Sequence, residues 1–263
     1  AKKVQVNLYT GVDTLFVSFG QLKGGDCYGY SDSLKYVYPD NQIDAAGDLN
    51  RMATAFLATS SNPKWDNGTD NWKWADINED GIVETDDLSL TTSNVGQSGA
   101  QPVYKPADMP SLSNSSAVVE FMNVPSELKA GQSYTIQVVA RNTAAVRAYF
   151  VDMKYDTAML DFSEIRKGGF IESDSYSFPV MGQGTVGLAN SVYGDALTSG
   201  DGILAEVTFT ALRNGSFDAG TLAFSKISFV NGEFVSENLG GTGTKVDSTT
   251  PMAFALGQNY PNP

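Results

Sequence analysis

Residues 76–87 read Asp76-Ile-Asn-Glu-Asp-Gly-Ile-Val-Glu-Thr-Asp-Asp87, a twelve-residue stretch rich in carboxylate and amide oxygens. Gly81 stands at its sixth position, where a loop of this kind turns sharply and needs a positive φ. Val83, at the eighth position, is the apolar residue that would anchor the loop to a small core. Oxygen ligands clustered at this spacing suit a hard cation. The stretch therefore predicts a calcium loop followed by the start of a helix.

Six positions of this loop are expected to hold the ion: Asp76, Asn78, Asp80, Ile82, Glu84 and Asp87. Ile82 would contribute its backbone carbonyl, and Glu84 would reach the ion through water. EF-hand loops usually end in a bidentate Glu, whereas this loop ends in Asp87. An Asp at the last position, followed by Leu88 and a short helix, resembles the dockerin family. Dockerins are calcium-folded modules of two loop–helix repeats that bind cohesin domains.

A degraded copy of this loop lies upstream of residues 76–87 and would form the first of the two repeats. The run Ile43–Leu49 parallels Val83–Leu88 with one extra residue, which we assign to Gly47. The resemblance to dockerins then implies a first loop interrupted by an insertion, with three acidic ligands: Asp26, Asp40 and Asp48. The alternative is a first loop that has lost its metal. The sequence therefore allows either one or two calcium ions.

A helix and three tryptophans follow this repeat. Apolar residues from Leu49 to Leu57 recur at helical spacing, and Asn62-Pro63 is expected to end the helix. We expect Trp65, Trp72 and Trp74 to cap the small core of the module.

The composition excludes several classes of function. The chain has a net charge of −13 and a pI near 4.3, which argue against nucleic acid and anionic membrane surfaces as partners. It contains no histidine, so Ser-His-Asp and Cys-His catalysis and His-ligated zinc are excluded. Cys27 is the single cysteine and cannot form a disulfide within the chain. No apolar run is long enough to span a membrane. Carboxylate pairs such as Glu164 and Glu172 could serve an enzyme, but an acidic surface supplies many such pairs by chance and nothing in the sequence locates a cleft. We therefore expect no catalytic residues and no enzymatic activity.

The second half of the chain shows regular strand patterns. Short segments of alternating apolar and polar residues recur between residues 118 and 229 and are separated by Gly, Asn, Asp and Ser. Short strands at this spacing predict a two-sheet sandwich. The candidate strands are Val118–Met122, Ser133–Arg141, Arg147–Tyr155, Leu160–Ile165, Tyr176–Val180, Gly184–Val192, Ile203–Ala211 and Ala223–Phe229.

Four segments of this region resemble a cohesin domain in order and spacing. They are Ala130-Gly-Gln-Ser-Tyr-Thr-Ile-Gln-Val-Val139, Phe150-Val-Asp-Met-Lys-Tyr-Asp-Thr-Ala-Met-Leu-Asp-Phe162, Gly184-Thr-Val-Gly-Leu-Ala189 and Asp201-Gly-Ile-Leu-Ala-Glu-Val-Thr-Phe209. The resemblance implies a jelly-roll or immunoglobulin-like β-sandwich that binds dockerins. A generic immunoglobulin-like module with similar turns is the alternative. The fold class expected for the whole chain is mainly β, with a small α EF-hand-like module.

The predicted organisation has five parts. They are a β-hairpin arm at 1–20, a dockerin-like calcium module at 21–97, a linker at 98–116, a cohesin-like sandwich at 117–246 and a tail at 247–263. The alternating strands of the arm would pair with their own sandwich, pack on the calcium module or add to the sheet edge of another subunit. The tail residues Phe254-Ala-Leu-Gly-Gln-Asn-Tyr-Pro-Asn-Pro263 are similar to the opening of the C-terminal sorting domain of type IX secretion. That resemblance implies export to the surface of a bacterium or to the medium.

The two resemblances also imply where partners would bind. Dockerins are recognised at loop positions 10 and 11, and the matching residues here are Ala45, Ala46, Thr85 and Asp86. The matching contact positions on the cohesin strand are Ala148 and Phe150. These surfaces would be complementary if Phe150 points outward, and strand alternation alone permits either direction.

The functional hypothesis is a secreted, calcium-dependent structural protein. The module of one copy would bind the sandwich of the next, head to tail, and build an extracellular filament. The alternative is a non-catalytic scaffolding adaptor of a cellulosome-like, polysaccharide-degrading complex, with cohesin- or dockerin-bearing partners. No nucleic-acid or membrane-inserted partner is expected.

Overall fold

The structure is a computed structural model that describes residues 29–31, 37–39, 42–96, 114, 116–232, 234 and 236–239. The predicted arm at 1–20, the candidate ligands Asp26 and Asp40, and the tail at 247–263 lie outside the described residues, as does most of the predicted linker. No helix among the described residues combines the length and the apolar character that crossing a membrane requires.

Two antiparallel sheets form a sandwich in the second half of the chain. The four-stranded sheet has the order β3 (Val118–Met122), β5 (Ser133–Val146), β10 (Thr198–Ala211) and β7 (Leu160–Lys167). The five-stranded sheet has the order β13 (Ser236–Asn238), β12 (Leu222–Val230), β6 (Ala148–Tyr155), β9 (Thr185–Val192) and β8 (Ser175–Gly182). A short pair, β4 (Glu127–Leu128) with β11 (Gly215–Ser216), lies beside them.

The sandwich core follows from the two-residue period of the strands. Tyr149 and Val151 of β6 point inward and share one cluster with Val138 of β5 and with Val207 and Phe209 of β10. Because successive side chains of a strand alternate between faces, the residues between them lie on the opposite side of the sheet. The mainly β sandwich predicted from sequence is therefore confirmed.

All eight predicted strands are present, and most of them differ from the prediction at one or both ends. Strands β5 and β10 are longer than predicted, since β5 continues to Val146 and β10 begins at Thr198. These extensions pair with each other through register shifts, so the regular alternation that a sequence pattern detects is interrupted there. The strands of two or three residues were not predicted because they are too short to show a period.

The first half of the described chain is mostly loop and helix. β1 (Gly29–Ser31) and β2 (Val37–Pro39) form an antiparallel pair. A π-helical turn at Ala45–Leu49 leads into α1 (Asn50–Ala55), a 3₁₀ turn spans Trp72–Ala75, and α2 covers Thr85–Ser93. Residues 42–96 are called the loop–helix module below.

The first helix is shorter than predicted. It ends at Ala55, not at Asn62-Pro63, because the chain turns at Leu57 with a φ of +64°. The backbone N–H of Leu57 donates to the carbonyl of Val83 at 2.7 Å, and Val83 donates to Ala58 at 2.9 Å. Backbone pairing with the loop at residues 76–87 thus replaces the helical hydrogen bonds after Ala55. The spacing of apolar residues in the sequence does not reveal this pairing.

Candidate metal loop and covered sheet face

The loop at residues 76–87 wraps around the carboxylate of Asp76. That carboxylate accepts the backbone N–H of Asp80 at 3.1 Å and of Gly81 at 2.9 Å. Gly81 has a φ of +92°, a conformation that costs glycine little and other residues more. The turn expected at the sixth loop position is therefore present, and it brings the two ends of the loop close together.

Asp87 joins the beginning of the loop to the beginning of α2. Its carboxylate accepts three backbone N–H groups, from Ile77 at 2.6 Å, Asn78 at 3.1 Å and Glu84 at 2.9 Å. Asp87 is completely buried, and this burial raises the pKa of its carboxyl to about 8. The position of the carboxylate in the first turn of α2 also favours its charged form through the helix dipole.

Three carboxylates converge beside this turn. Asp80, Glu84 and Asp86 each offer one oxygen, and these oxygens lie within 4.8 Å of one another. The amide of Asn78 donates to Asp80 at 3.1 Å and to Asp86 at 2.9 Å, which keeps the group together. Burial and the charge of Glu84 raise the pKa of Asp86. Like charges at this spacing repel one another in their ionised form, and an all-oxygen donor set of this kind fits calcium.

The structure thus brings together part of the predicted ligand set and adds one residue. Asp80 and Glu84 converge as expected, whereas Asp76 and Asp87 face backbone N–H groups. Asp86, which was predicted to contact a partner, is buried at the carboxylate cluster. Its position next to Asp87 in the first helical turn was the signal available in the sequence.

The ion-free module should lose stability as the pH rises. The pKa of Asp87 is raised from 3.8 to about 8 in the folded state, so the folded module retains a proton that the unfolded chain releases. This contribution is fully present below about pH 4 and is lost as the pH rises through about 8. We expect the melting temperature in EDTA to fall between about pH 5 and pH 8, and calcium to flatten or reverse the slope. Asp87→Asn should weaken the pH dependence, and a melting temperature independent of pH in EDTA would contradict this account.

The first repeat reproduces the capping contact with one extra residue. Asp48 is buried, and its carboxylate accepts the backbone N–H of Asp44 at 2.8 Å, as Asp87 accepts that of Glu84. The spacing is four residues rather than three because the chain forms a π-helical turn, which holds more residues per turn than an α-helix. The extra residue inferred from sequence is thus accommodated in this turn.

The predicted partner residues of the module differ in their exposure to solvent. Ala45 and Ala46 are exposed at the π-helical turn. Thr85 and Asp86 are buried within the chain.

The outer face of the five-stranded sheet is covered by the loop–helix module. Ala148 and Phe150 of β6 are fully buried. Tyr149 and Val151, which alternate with them along the strand, belong to the sandwich core. Phe150 therefore points away from that core. It belongs instead to a second apolar cluster made by both parts of the chain: Leu49, Met52, Ala55, Ala75, Val83, Leu88, Phe150, Phe178 and Ala189.

Aromatic contacts form the centre of this second cluster. The ring of Phe56 meets Phe150 and Phe178 edge to face, each at a centroid distance of 5.2 Å. Gly187 lies beneath, and a Cβ there would come within 2.9 Å of the Phe150 ring. Because Gly187 has no side chain, the Phe150 ring can lie against β9.

Polar contacts surround the aromatic centre. Lys226 of β12 donates to the carboxylate of Glu84, and the two side chains retain 32% and 13% of their exposure. The hydroxyls of Thr92 in α2 and Ser191 in β9 lie 2.7 Å apart. An apolar centre with a polar rim is the usual composition of a protein–protein interface. Glu84 belongs both to the carboxylate cluster and to this interface.

Comparisons with known proteins identify the sandwich. Residues 121–242 match the family model of the cohesin domain. Similar solved structures include a non-cellulosomal cohesin from the archaeon Archaeoglobus fulgidus, at 14% identity over 46% of this chain and 81% of that chain, with a TM-score of 0.37. Type II cohesin A11 from Bacteroides cellulosolvens is 12% identical over 45% of this chain and 89% of that chain, with a TM-score of 0.40.

A third similar structure is a type II cohesin–X-dockerin complex from Acetivibrio cellulolyticus. Its matched chain is 16% identical over 47% of this chain and 92% of that chain, with a TM-score of 0.39. No curated protein sequence matches the chain significantly. The family-model match does not include the loop–helix module, whose resemblance to dockerins stays a prediction. Residues 121–242 therefore match the cohesin family model, and they lie in the two-sheet sandwich.

Proposed function

We propose that the chain is a secreted, non-catalytic structural subunit that assembles head to tail into an extracellular filament when calcium is bound. One observation carries the proposal: the loop–helix module and the outer sheet face of the sandwich are complementary and pack together. When two such complementary surfaces meet between copies instead of within one copy, the contacts are heterologous. Such contacts continue into a filament unless the rotation between subunits closes a ring.

Calcium dependence is supported by the acidic loop. Asp80, Glu84 and Asp86 would hold the ion, with Asp76, Asn78, Asp87 and the carbonyl of Ile82 as the remaining oxygens of the loop. Bound calcium would neutralise carboxylates that burial otherwise drives toward protonation. The ion would thus have a structural role, because it keeps the loop–helix module in the shape that fits the sheet face.

A non-catalytic role agrees with the cohesin family, whose members bind dockerin-bearing partners, and with the absence of histidine from the sequence. The family match also favours a second candidate, a scaffolding adaptor of a cellulosome-like complex. In that case the sheet face would accept the dockerin of another protein after the loop–helix module has moved away. Extracellular localisation would suit either role and is supported by the resemblance of the tail to a sorting domain.

Light scattering of the purified chain tests the filament proposal. We expect species larger than the monomer in calcium and a return to monomer in EDTA, with a mass that grows with protein concentration. Asp76→Ala combined with Asp80→Ala should abolish the growth, and Asp66→Ala, outside the loop, should not. A strict monomer in calcium at high concentration would exclude the filament. Selective capture of dockerin-bearing proteins by such a monomer would then support the adaptor.

A further inference from the structure

We propose that the closed subunit and the assembly use one interface, so that the loop–helix module covering its own sandwich is exchanged onto the sandwich of a second copy. This inference rests on the proposed function and names the surface and the partner, a second copy of this chain. It also predicts that closed monomers and assemblies compete with each other.

The first argument is that the sheet face is fully occupied within one chain. Phe150, Ala189 and Ser191 are completely buried, and their nearest cover is the module. A module from a second copy therefore cannot bind this face while the first remains in place. Head-to-tail binding at this face requires that the module of the accepting chain leaves it.

The second argument is that exchange needs no new contact. The edge-to-face packing of Phe56, the hydroxyl pair Thr92–Ser191 and the ion pair Glu84–Lys226 all join the module to the sandwich. Each would form again, unchanged, between two copies. The free energy of the interface is then nearly the same within a chain and between chains, as is typical of domain swapping.

The third argument concerns the connection between the two parts. Residues 97–113, seventeen in number, join the module to the sandwich. Their maximum reach is about 60 Å at roughly 3.5 Å per residue, which is longer than a small domain is wide. A tethered module has an effective concentration on the order of millimolar for its own face. Exchange should therefore become favourable only at high local concentration of the protein.

The inference changes the residues expected to recognise the partner. Ala45 and Ala46 lie on the exposed side of the module and make none of the contacts described above. Recognition would instead use Phe56, Thr92 and Glu84 of one copy. Phe150, Ser191 and Lys226 of the other copy would accept them.

A cysteine pair distinguishes the closed form from the exchanged form. The hydroxyl oxygens of Thr92 and Ser191 are 2.7 Å apart, close enough for a disulfide between cysteines at these positions. The variant is Thr92→Cys with Ser191→Cys and Cys27→Ser, and its reduced form serves as a control for folding and assembly. Thr92→Cys or Ser191→Cys alone, each with Cys27→Ser, controls for nonspecific cross-linking.

Oxidation of the dilute variant should link the cysteines within one chain and yield a monomer that no longer assembles in calcium. Reduction should restore assembly. Oxidation after assembly should instead give a ladder of disulfide-linked multimers on a non-reducing gel. Assembly of the oxidised monomer to the wild-type extent, or intrachain links alone in assembled material, would overturn the exchange and would show that copies assemble through a different surface. If the unmodified chain never assembles, both proposals fail.

A second test uses complementation and does not depend on the disulfide. Phe150→Asp spoils the sheet face but keeps the module, whereas Asp87→Ala spoils the module but keeps the face. Neither variant should assemble alone, and an equimolar mixture in calcium should give a one-to-one heterodimer. Absence of the heterodimer under conditions where the unmodified chain assembles would contradict the exchange.

Discussion

Replacing Asp87 with alanine should unfold the loop–helix module and leave the sandwich folded. The substitution removes the acceptor of three backbone N–H groups, those of Ile77, Asn78 and Glu84. The three donors are partly buried, so each one left without an acceptor costs up to about 1–3 kcal/mol, and together they remove a large share of the stability of a small module. The sandwich should persist because its own core lies between the two sheets.

Isothermal calorimetry with calcium and thermal unfolding followed by circular dichroism provide the measurement. We expect calcium binding to be lost and one cooperative transition, that of the sandwich, to remain. The matched control is Asp66→Ala, because Asp66 is exposed and pairs only with Lys73 among the ion pairs of the described residues. Normal calcium binding by the Asp87→Ala variant would show that this carboxylate does not organise the loop.

Phe150→Ala should detach the module from the sandwich and destabilise the module, while the sandwich stays folded. Truncation of a buried phenylalanine costs about 3–5 kcal/mol, and here the edge-to-face contact with Phe56 is lost as well. The sandwich core is spared because Phe150 faces away from it, whereas Tyr149 and Val151 face into it.

Hydrogen exchange tests this separation. Protection of α2 should decrease strongly in the variant, and the inward-facing residues of β6 should keep theirs. Met181→Ala is the control, because Met181 lies on β8 of the same sheet and is 56% exposed. If α2 keeps its full protection in the Phe150→Ala variant, the aromatic centre does not hold the two parts together.

The sandwich was predictable from the sequence because its signal is local. Alternation such as that from Glu206 to Ala211 reports one face buried and one face less buried. The positive φ at Gly81 was likewise predictable, since it follows from residue type and spacing. Register shifts, which depend on the partner strand, set the true ends of β5 and β10.

Strand β6 shows where local patterns lose their meaning. Its residues from Ala148 to Val151 are all buried, since the sandwich covers one face and the module covers the other. A strand buried on both faces has no apolar–polar alternation, so the direction of Phe150 could not be assigned from sequence. The end of α1 could not be predicted either, because Leu57 pairs with Val83, a residue distant in sequence.

The sequence by itself determined a β-sandwich, an acidic loop with the spacing of a calcium site, and two parts with complementary family resemblances. Those features depend on residue type and on periods of two to four positions, which every segment carries within itself. Only the tertiary structure decided that Asp86 joins the carboxylate cluster and that the module covers the sheet face. Both depend on contacts between residues that are brought together by folding, such as Glu84 with Lys226 and Phe56 with Phe150.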